Sequence, residues 1–453
     1  MNTLQKVILL LAVLIIPLLA GPGTGTLQIF PVDNWWNWDI SNHNVDPQSD
    51  AVIAEIKKYE AGLGNSLPAR NQTELHPDFN STIYGIDYAV GISSTPVPIN
   101  IISWSGSTCI TSTSGGETDY GPAPIPLNTP VEGYNPLPGS YANPHKYDSP
   151  GIVGDKHVIY INSSTKMLYE LYDAVPQPAG AATHWEASCY IKWDLTKNER
   201  RPLGETSVDA AGFAVFPGLV RYEDITRGAM NHAARCTFNF TPRKYIWPAT
   251  HFASTTGDTH NDAANFLLPQ FGQKFRIKAS IDLVGRGLTG QALIIANGLK
   301  KYGMMNADNG SSWYISGEPN AGWNDTDLNT LKKIKDVDFE LVQTVDAGGN
   351  PIYPTGGSTS TNTGSVNPLT DVKAYPNPFD PSLTTVKLAY VPPSPGLKMK
   401  VTNSAGEIVR ESTNVLTWDG KDASGIIVPK GIYYINIMDT AGNKKNMKVA
   451  LVK

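Results

Sequence analysis

The chain has 453 residues, 41% of them hydrophobic and 17% charged, with a formal net charge of −5. That length exceeds what one hydrophobic core usually serves, so two or more domains are expected, and the composition excludes a disordered chain. The acidic balance excludes a general nucleic-acid surface, because affinity for phosphate backbones comes from clustered Lys and Arg.

The N-terminus reads as an export signal over residues 1–20. Lys6 supplies the positive charge, residues 7–19 the apolar stretch, and Ala20 a small residue before Gly21. The apolar stretch is short for a span and no other segment is apolar enough, so a secreted mature protein with no membrane span is expected. A Trp-rich entry segment at 27–44 follows. Next come a helix at 50–61 capped by Ser49 and short strands at 82–90 and 97–104. Residues 115–150, rich in Pro, Gly, Tyr and Asn, form a long excursion of the kind that often builds binding sites.

The stretch 155–251 is densest in carboxylates, histidines and aromatics. It opens with a hairpin pattern, 157–162 and 167–172, around a polar turn. In a strand at 184–195, alternation puts Trp185, Ala187, Cys189, Ile191 and Trp193 on a core face. His184, Glu186, Ser188, Tyr190, Lys192 and Asp194 share the other, which is either a solvated sheet face or the floor of a cleft. Strands are expected at 235–240 and 244–247, and an alternating strand at 275–284. A helix at 289–302 has Thr289 as N-cap and Gly303 as its stop; a short helix at 327–335 and a strand at 339–342 complete the pattern. Cys109, Cys189 and Cys236 allow one disulfide. For Cys189 and Cys236, a bridge and two buried thiols both remain open readings.

Residues 346–370 are rich in Gly, Ser and Thr, carry no core residues and read as a flexible linker. They divide a main domain, 21–345, from short strands in 371–453. Within the latter stand Tyr375-Pro376-Asn377-Pro378-Phe379, Asn403-Ser404-Ala405-Gly406-Glu407-Ile408-Val409-Arg410, Trp418-Asp419-Gly420-Lys421-Asp422-Ala423-Ser424-Gly425 and Pro429-Lys430-Gly431-Ile432-Tyr433-Tyr434. In this order they resemble the FlgD-type immunoglobulin-like domain, which is close to the C-terminal sorting domains of type IX secretion. The resemblance implies bacterial origin, an Ig-like sandwich, and either a sorting signal read by secretion machinery or a passive extracellular module. It implies nothing about catalysis. Asp419-Gly420 and Ser424-Gly425 read as turns in preference to a calcium site on Asp419 and Asp422. Upstream, Leu75-His76-Pro77-Asp78-Phe79, Pro217-Gly218-Leu219-Val220-Arg221-Tyr222 and Pro248-Ala249-Thr250-His251 resemble phrases in secreted bacterial proteins with no established activity.

Several motifs are only imitated. Gly285-Arg286-Gly287-Leu288-Thr289-Gly290, with Asp308 downstream, has the outline of a dinucleotide fingerprint. The preceding strand, however, alternates, with Lys274, Arg276, Lys278 and Ser280 on one face, and a central parallel strand should be apolar on both. There is no G-x-S-x-G, H-E-x-x-H or P-loop. Asp258-Thr259-His260-Asn261-Asp262 reads as a solvated loop before a cation site, and His157 and His251 as satisfying local hydrogen bonds. No cofactor or metal is expected.

The expected fold class is mainly β: an antiparallel β-rich N-terminal domain with a few short helices, plus a C-terminal Ig-like β-sandwich. The expected role is binding, and in the enzymatic version hydrolysis, of extracellular polysaccharide or envelope glycan. Glu170, Glu186 and Asp194 are the acid/base residues, and His184, Tyr190, Asp173 and Asp209 bind substrate. Glycosidic hydrolysis needs two carboxyls roughly 5–9 Å apart across a groove, with aromatic rings to stack on sugars. The alternative is a non-catalytic adhesin or matrix protein, and a third reading is a cation-dependent structural module.

Overall fold

Short runs of β-branched and aromatic residues, broken by Gly and Pro, make brief strands, and the computed structural model stacks them in layers. It describes residues 23–62 except 26, 72–80, 85–102, 109, 117–133, 155–178, 181–253, 267–354 except 347, 369, 372–389 except 383, 397–413, 416–439 and 444–452. The expected signal at 1–20, much of the excursion at 115–150, the loop at 258–262 and most of the linker at 346–370 lie outside the described residues.

In chain order the first part contains α1 (Ser49–Glu60), β1 (Ala89–Gly91), β2 (Ile99–Ile101), β3 (Val158–Asn162), β4 (Met167–Tyr172), β5 (Val175–Gln177), β6 (His184–Ala187), β7 (Cys189–Asp194), α2 (Tyr222–Arg227), β8 (Ala234–Phe238), β9 (Lys274–Ile277), α3 (Gly290–Lys301), β10 (Met304–Asn309), β11 (Tyr314–Ile315), α4 (Asp325–Leu328) and β12 (Phe339–Val342). The remainder contributes β13 (Lys373–Tyr375), β14 (Val386–Ala389), β15 (Lys398–Asn403), β16 (Ile408–Thr413), β17 (Thr417–Trp418), β18 (Gly431–Met438) and β19 (Lys444–Leu451). The fold is mainly β, with five sheets and few short helices among the described residues.

A five-stranded sheet, β11-β8-β10-β9-β12, is the central layer. One of its faces, with Cys236, Phe238, Phe275 and Met304, packs on Ile295 and Leu299 of α3 and on Val52, Ile53 and Ile56 of α1. The other face sends Met305 and Ala307 into a second core. There they meet Ile159, Ile161, Leu168, Ile191 and Trp193 of the sheet β1-β3-β4-β7. That sheet turns Val158, Tyr160, Leu171 and Tyr190 outward into a third core with Trp185 and Ala187 of the sheet β2-β6-β5. Each fully buried Leu, Ile or Phe in these layers contributes about 1.5–3 kcal/mol. Among the described strand pairs only β1–β3, β2–β6 and β8–β10 are parallel; the rest are antiparallel.

The layering explains where the sequence pattern misleads. The strand expected at 184–195 is two strands in different sheets, parted at Ser188, whose N–H donates to the Tyr172 carbonyl at 3.0 Å. Its second half is covered on both sides, so Tyr190, expected on the polar face, is buried in the third core. Likewise Lys274 and Arg276 of β9 are buried: the Lys274 ammonium donates to the Trp35 carbonyl at 2.5 Å, and Arg276 pairs with Glu340 at 2.7 Å. β9 is antiparallel to both neighbours, and the N-terminus of α3 is already capped from α4, with Ala292 N–H donating to Asp327 at 3.0 Å. A dinucleotide site is therefore excluded at Gly285–Gly290. Ser49 does not cap α1; its hydroxyl accepts from Leu341 N–H at 2.9 Å instead. Residues 244–247 form only a single bridge, Tyr245 to Phe271.

In the C-terminal part, β13-β14-β17 and β16-β15-β18-β19 are antiparallel throughout. They enclose a core of their own around Val386, Val401, Trp418, Ile435 and Val449. Asp422 there accepts from Ser424 and Ile426 N–H at 2.8 and 2.9 Å, which is turn geometry.

The disulfide joins Cys109 to Cys189, with Cα atoms 5.5 Å apart and a sequence separation of 80, while Cys236 is a buried thiol. Opening a loop of that length removes a restraint on the unfolded chain worth about 4 kcal/mol. Full reduction is therefore expected to lower the urea midpoint markedly. An unchanged midpoint after verified reduction would contradict it.

Candidate functional site

Strand β8 reads Ala234-Arg235-Cys236-Thr237-Phe238, and alternation puts Ala234, Cys236 and Phe238 in the α3-side core. Arg235 must then point to the opposite face, between the two large sheets, where an unpaired guanidinium would be prohibitively costly. The partner strand supplies an answer through an irregularity. β10 runs in step with β8 until Asn306 faces Cys236, and then the register slips so that Asp308 faces Thr237. With no bulge, Asp308 would lie opposite Phe238 and face the apolar core; the extra residue, Ala307, turns its carboxyl to Arg235's side. The Ala307 carbonyl accepts the N–H of Ala211 at 2.9 Å, which ties the turn carrying Asp209 to the bulge. Gly212 completes that turn at φ +78°, where a Cβ would lie 2.0 Å from Thr250 Oγ1.

The result is a knot of charge. Arg235 Nε and Nη2 donate to the two oxygens of Asp209 at 3.0 and 2.8 Å, Nη2 also to Asp308 at 2.9 Å, and Nη1 to Ser316 at 2.8 Å. Asp209 and Asp308 thus share the Arg235 Nη2 donor. Asp209 is sealed, whereas 26% of the Asp308 side chain remains open to solvent. Burial pushes the Asp308 carboxyl up to about 7; the Arg235 charge opposes the rise and the Asp209 charge adds to it. Burial raises the Asp209 carboxyl as well, with the Arg235 fork opposing the rise, so both carboxyls of the pair are held above their ordinary range.

Three more titratable groups close around this pair from the ends of β3 and the preceding loop. Asp155 is exposed yet walled in closely enough that lost solvation raises its carboxyl, with the Asp308 charge contributing. Glu132 is buried and pushed up to about 8 by burial, then by the Asp155 charge, while accepting from His157 N–H at 3.3 Å. The His157 ring is lowered to about 3 by burial and by Arg235, so it is neutral, and its Nδ1 has no hydrogen-bond partner. His251, by contrast, makes the local bond expected of it, its Nδ1 meeting the Ala210 carbonyl at 2.9 Å. Lys156 and Asp173 form an ion pair from left-handed backbone, φ +56° and +48°, a strain that tends to accumulate at functional sites. Beside the Asp209 turn, His251 stacks on Phe252 and Phe252 on Tyr245, all half-buried.

The residues expected to act as acid and base do not meet in one groove. Glu170 is fully buried between the sheets and accepts from Trp193 Nε1 and from the Val215 and Phe216 N–H groups, at 2.9–3.0 Å; it fastens a turn. Burial pushes its carboxyl up to about 8 against those three donors. Glu186 belongs to the outer sheet beside His184, 3.7 Å away, and Asp194 closes a surface turn with Thr196 and Lys197. Of the substrate-binding set, Asp209 and Asp173 lie in or beside the knot; Tyr190 is core and His184 is in the outer sheet. Asp155, Glu132, Arg235 and Asp308 were missed. Arg235 carried a readable signal, a lone charge in an apolar strand; Asp155 and Glu132 carried none. A separate cavity of about 240 Å³, lined by Leu27, Arg221, Glu223, Arg227 and His232, has charges that answer one another, Arg221 to Glu223 at 2.8 Å and His232 to Asp224 at 3.2 Å.

Two predictions separate structure from chemistry. Glu170→Gln must turn an NH₂ toward an N–H donor, so it is expected to cost about 1–3 kcal/mol in urea unfolding; a neutral result would refute the fastening role. For Glu132, a folded-state value near 8 against about 4.3 unfolded means its stabilisation is fully present below pH 4.3 and lost as pH rises through 8. Glu132→Gln should flatten that decline across urea midpoints at pH 4, 6 and 8; an equally steep variant would count against it.

No helix among the described residues is long and apolar enough to cross a membrane. No family model matches the chain, and no curated protein does. Over 27% of its length the chain is similar, at 25% identity and a TM-score of 0.19, to PorZ, an essential bacterial surface component of the type IX secretion system of Porphyromonas gingivalis. The chain covers 14% of that protein. A likeness of that extent leaves fold and function to be argued from the residues themselves.

Proposed function

We propose that this chain is an extracellular bacterial protein that engages polysaccharide and cleaves a glycosidic bond by general acid/base chemistry, with Asp308 as acid, Asp155 as base, and Asp209 and Arg235 holding the acid. The observation that carries the reading is a solvent-reached carboxyl raised to about 7 beside one pinned by a bidentate Arg. Burial raises both carboxyls, and Asp308 is the one of the two that solvent reaches, which suits it to give up and regain a proton. Asp308 gives its proton to the leaving glycosidic oxygen, and Asp155 takes a proton from the attacking water. Arg235 and Asp209 hold the acid in place, and the half-exposed Tyr245, His251 and Phe252 offer ring faces to a sugar. Residues 371–453 serve as the sorting or retention module that their sequence motifs resemble, with export directed by residues 1–20 and secretion machinery as the second partner.

The test is a reducing-sugar screen over neutral, acidic and amino-sugar polysaccharides. Asp308→Asn should lower turnover by at least about 100-fold while leaving glycan binding in place. Because the acid must be protonated, activity should fall as pH rises past about 7. Asp308→Asn with wild-type turnover, or no product from any polysaccharide, would end the enzymatic reading; glycan retention without product would leave the adhesin.

A further inference from the structure

We infer that the Cys109–Cys189 disulfide and Ser207 act as positioning elements for the carboxyl pair, so that the Asp209–Arg235–Asp308 arrangement is assembled only when the disulfide is closed. This rests on the function proposed above and adds its regulation. Both disulfide sulfurs lie against one atom, the Ser207 carbonyl oxygen, at 3.4 Å from Cys109 and 3.5 Å from Cys189. A disulfide sulfur has no proton to give, so these are packing contacts that fix where the carbonyl sits.

Ser207 in turn holds Asp209. Its hydroxyl accepts from the Asp209 N–H at 2.9 Å and approaches the Asp209 and Phe213 carbonyls at 3.0 and 2.5 Å. Ser207 and Asp209 are 4% and 1% exposed, so a shift in one cannot be absorbed by solvent. From Asp209 the chain of contacts reaches Arg235 and Asp308.

The segment leading into Ser207 is clamped from the same side. Thr206 N–H donates to Glu117 at 2.7 Å, and Glu117 N–H donates to the Cys109 carbonyl at 2.8 Å. Arg201 bridges Asp119 at 3.3 Å and Glu205 at 3.1 Å. When a dithiol such as dithiothreitol reduces the bond, it gives up two electrons and two protons and becomes a cyclic disulfide. Two thiols replace one S–S bond, and their sulfurs must part to van der Waals distance under the Ser207 carbonyl. An oxidising extracellular compartment would thus favour the assembled carboxyl pair, and a reducing cytoplasm would not.

The experiment follows Asp308 by its infrared carbonyl stretch across a pH titration, with Asp308→Asn to assign the band, and needs no substrate. In the oxidised full chain the midpoint should lie near 7. In reduced protein, or in Cys109→Ser/Cys189→Ser, it should fall by about one unit or more as the Asp209 charge moves away. Ser207→Ala, with the disulfide intact, should move it the same way, and near-UV circular dichroism reports that each sample is folded. An unchanged midpoint in folded Ser207→Ala overturns the inference however the reduced protein behaves, as does an unchanged midpoint in folded reduced protein. Absence of hydrolysis with a moved midpoint would sink the enzyme and leave the positioning role standing.

Discussion

The ion pair of Arg235 with Asp209, set between two sheets, is the constraint from which the centre of this molecule follows. Taking both charges out of water costs several kcal/mol per ion, and only a forked, fully hydrogen-bonded geometry offsets it. Arg235 meets that demand with four contacts, two to Asp209, one to Asp308 and one to Ser316. Satisfying it fixes the turn at 207–212, the register slip in β10 and the close approach of the β3 end. Apolar residues alone could hold these layers together; the charge knot decides how they are keyed.

The buried acids sort into two kinds by what surrounds them. Glu170 faces three N–H donors in a sealed interface, which is the environment of a fastener. Asp308 faces a guanidinium, another carboxyl and water, which is an environment that can exchange a proton. Both are raised by burial, so a shifted acidity by itself does not distinguish them. Access does.

The fold was legible in the sequence where one local signal acted alone. Gly303 stops α3, and the hairpin of β3 and β4 stands where its polar turn put it. Legibility failed where a strand is covered on both sides. At 184–195 the two-residue alternation assumes one wet face, and a third sheet layer removes it. Sheet membership is a long-range property, so nothing local marks Ser188 as the point of exchange. The acids expected to act together lie apart for the same reason. Glu170, Glu186 and Asp194 are neighbours along one hairpin and strand in the sequence, whereas the acids whose charges act on one another are Asp155, Asp209 and Asp308. Only the bulge at Ala307 makes Asp308 eligible, and a bulge in a parallel pair leaves no trace in composition.

That dispersal has a bearing on how the molecule matures. The parallel pairing of β8 with β10 spans an intervening antiparallel strand and a helix, and β1 must wait for β3 across a long stretch of chain. Loop closure of this kind is entropically slow, and none of its contacts is rewarded early. The cluster of Arg235, Asp209 and Asp308 draws on the β8–β10 closure, so it forms only once that pairing is made.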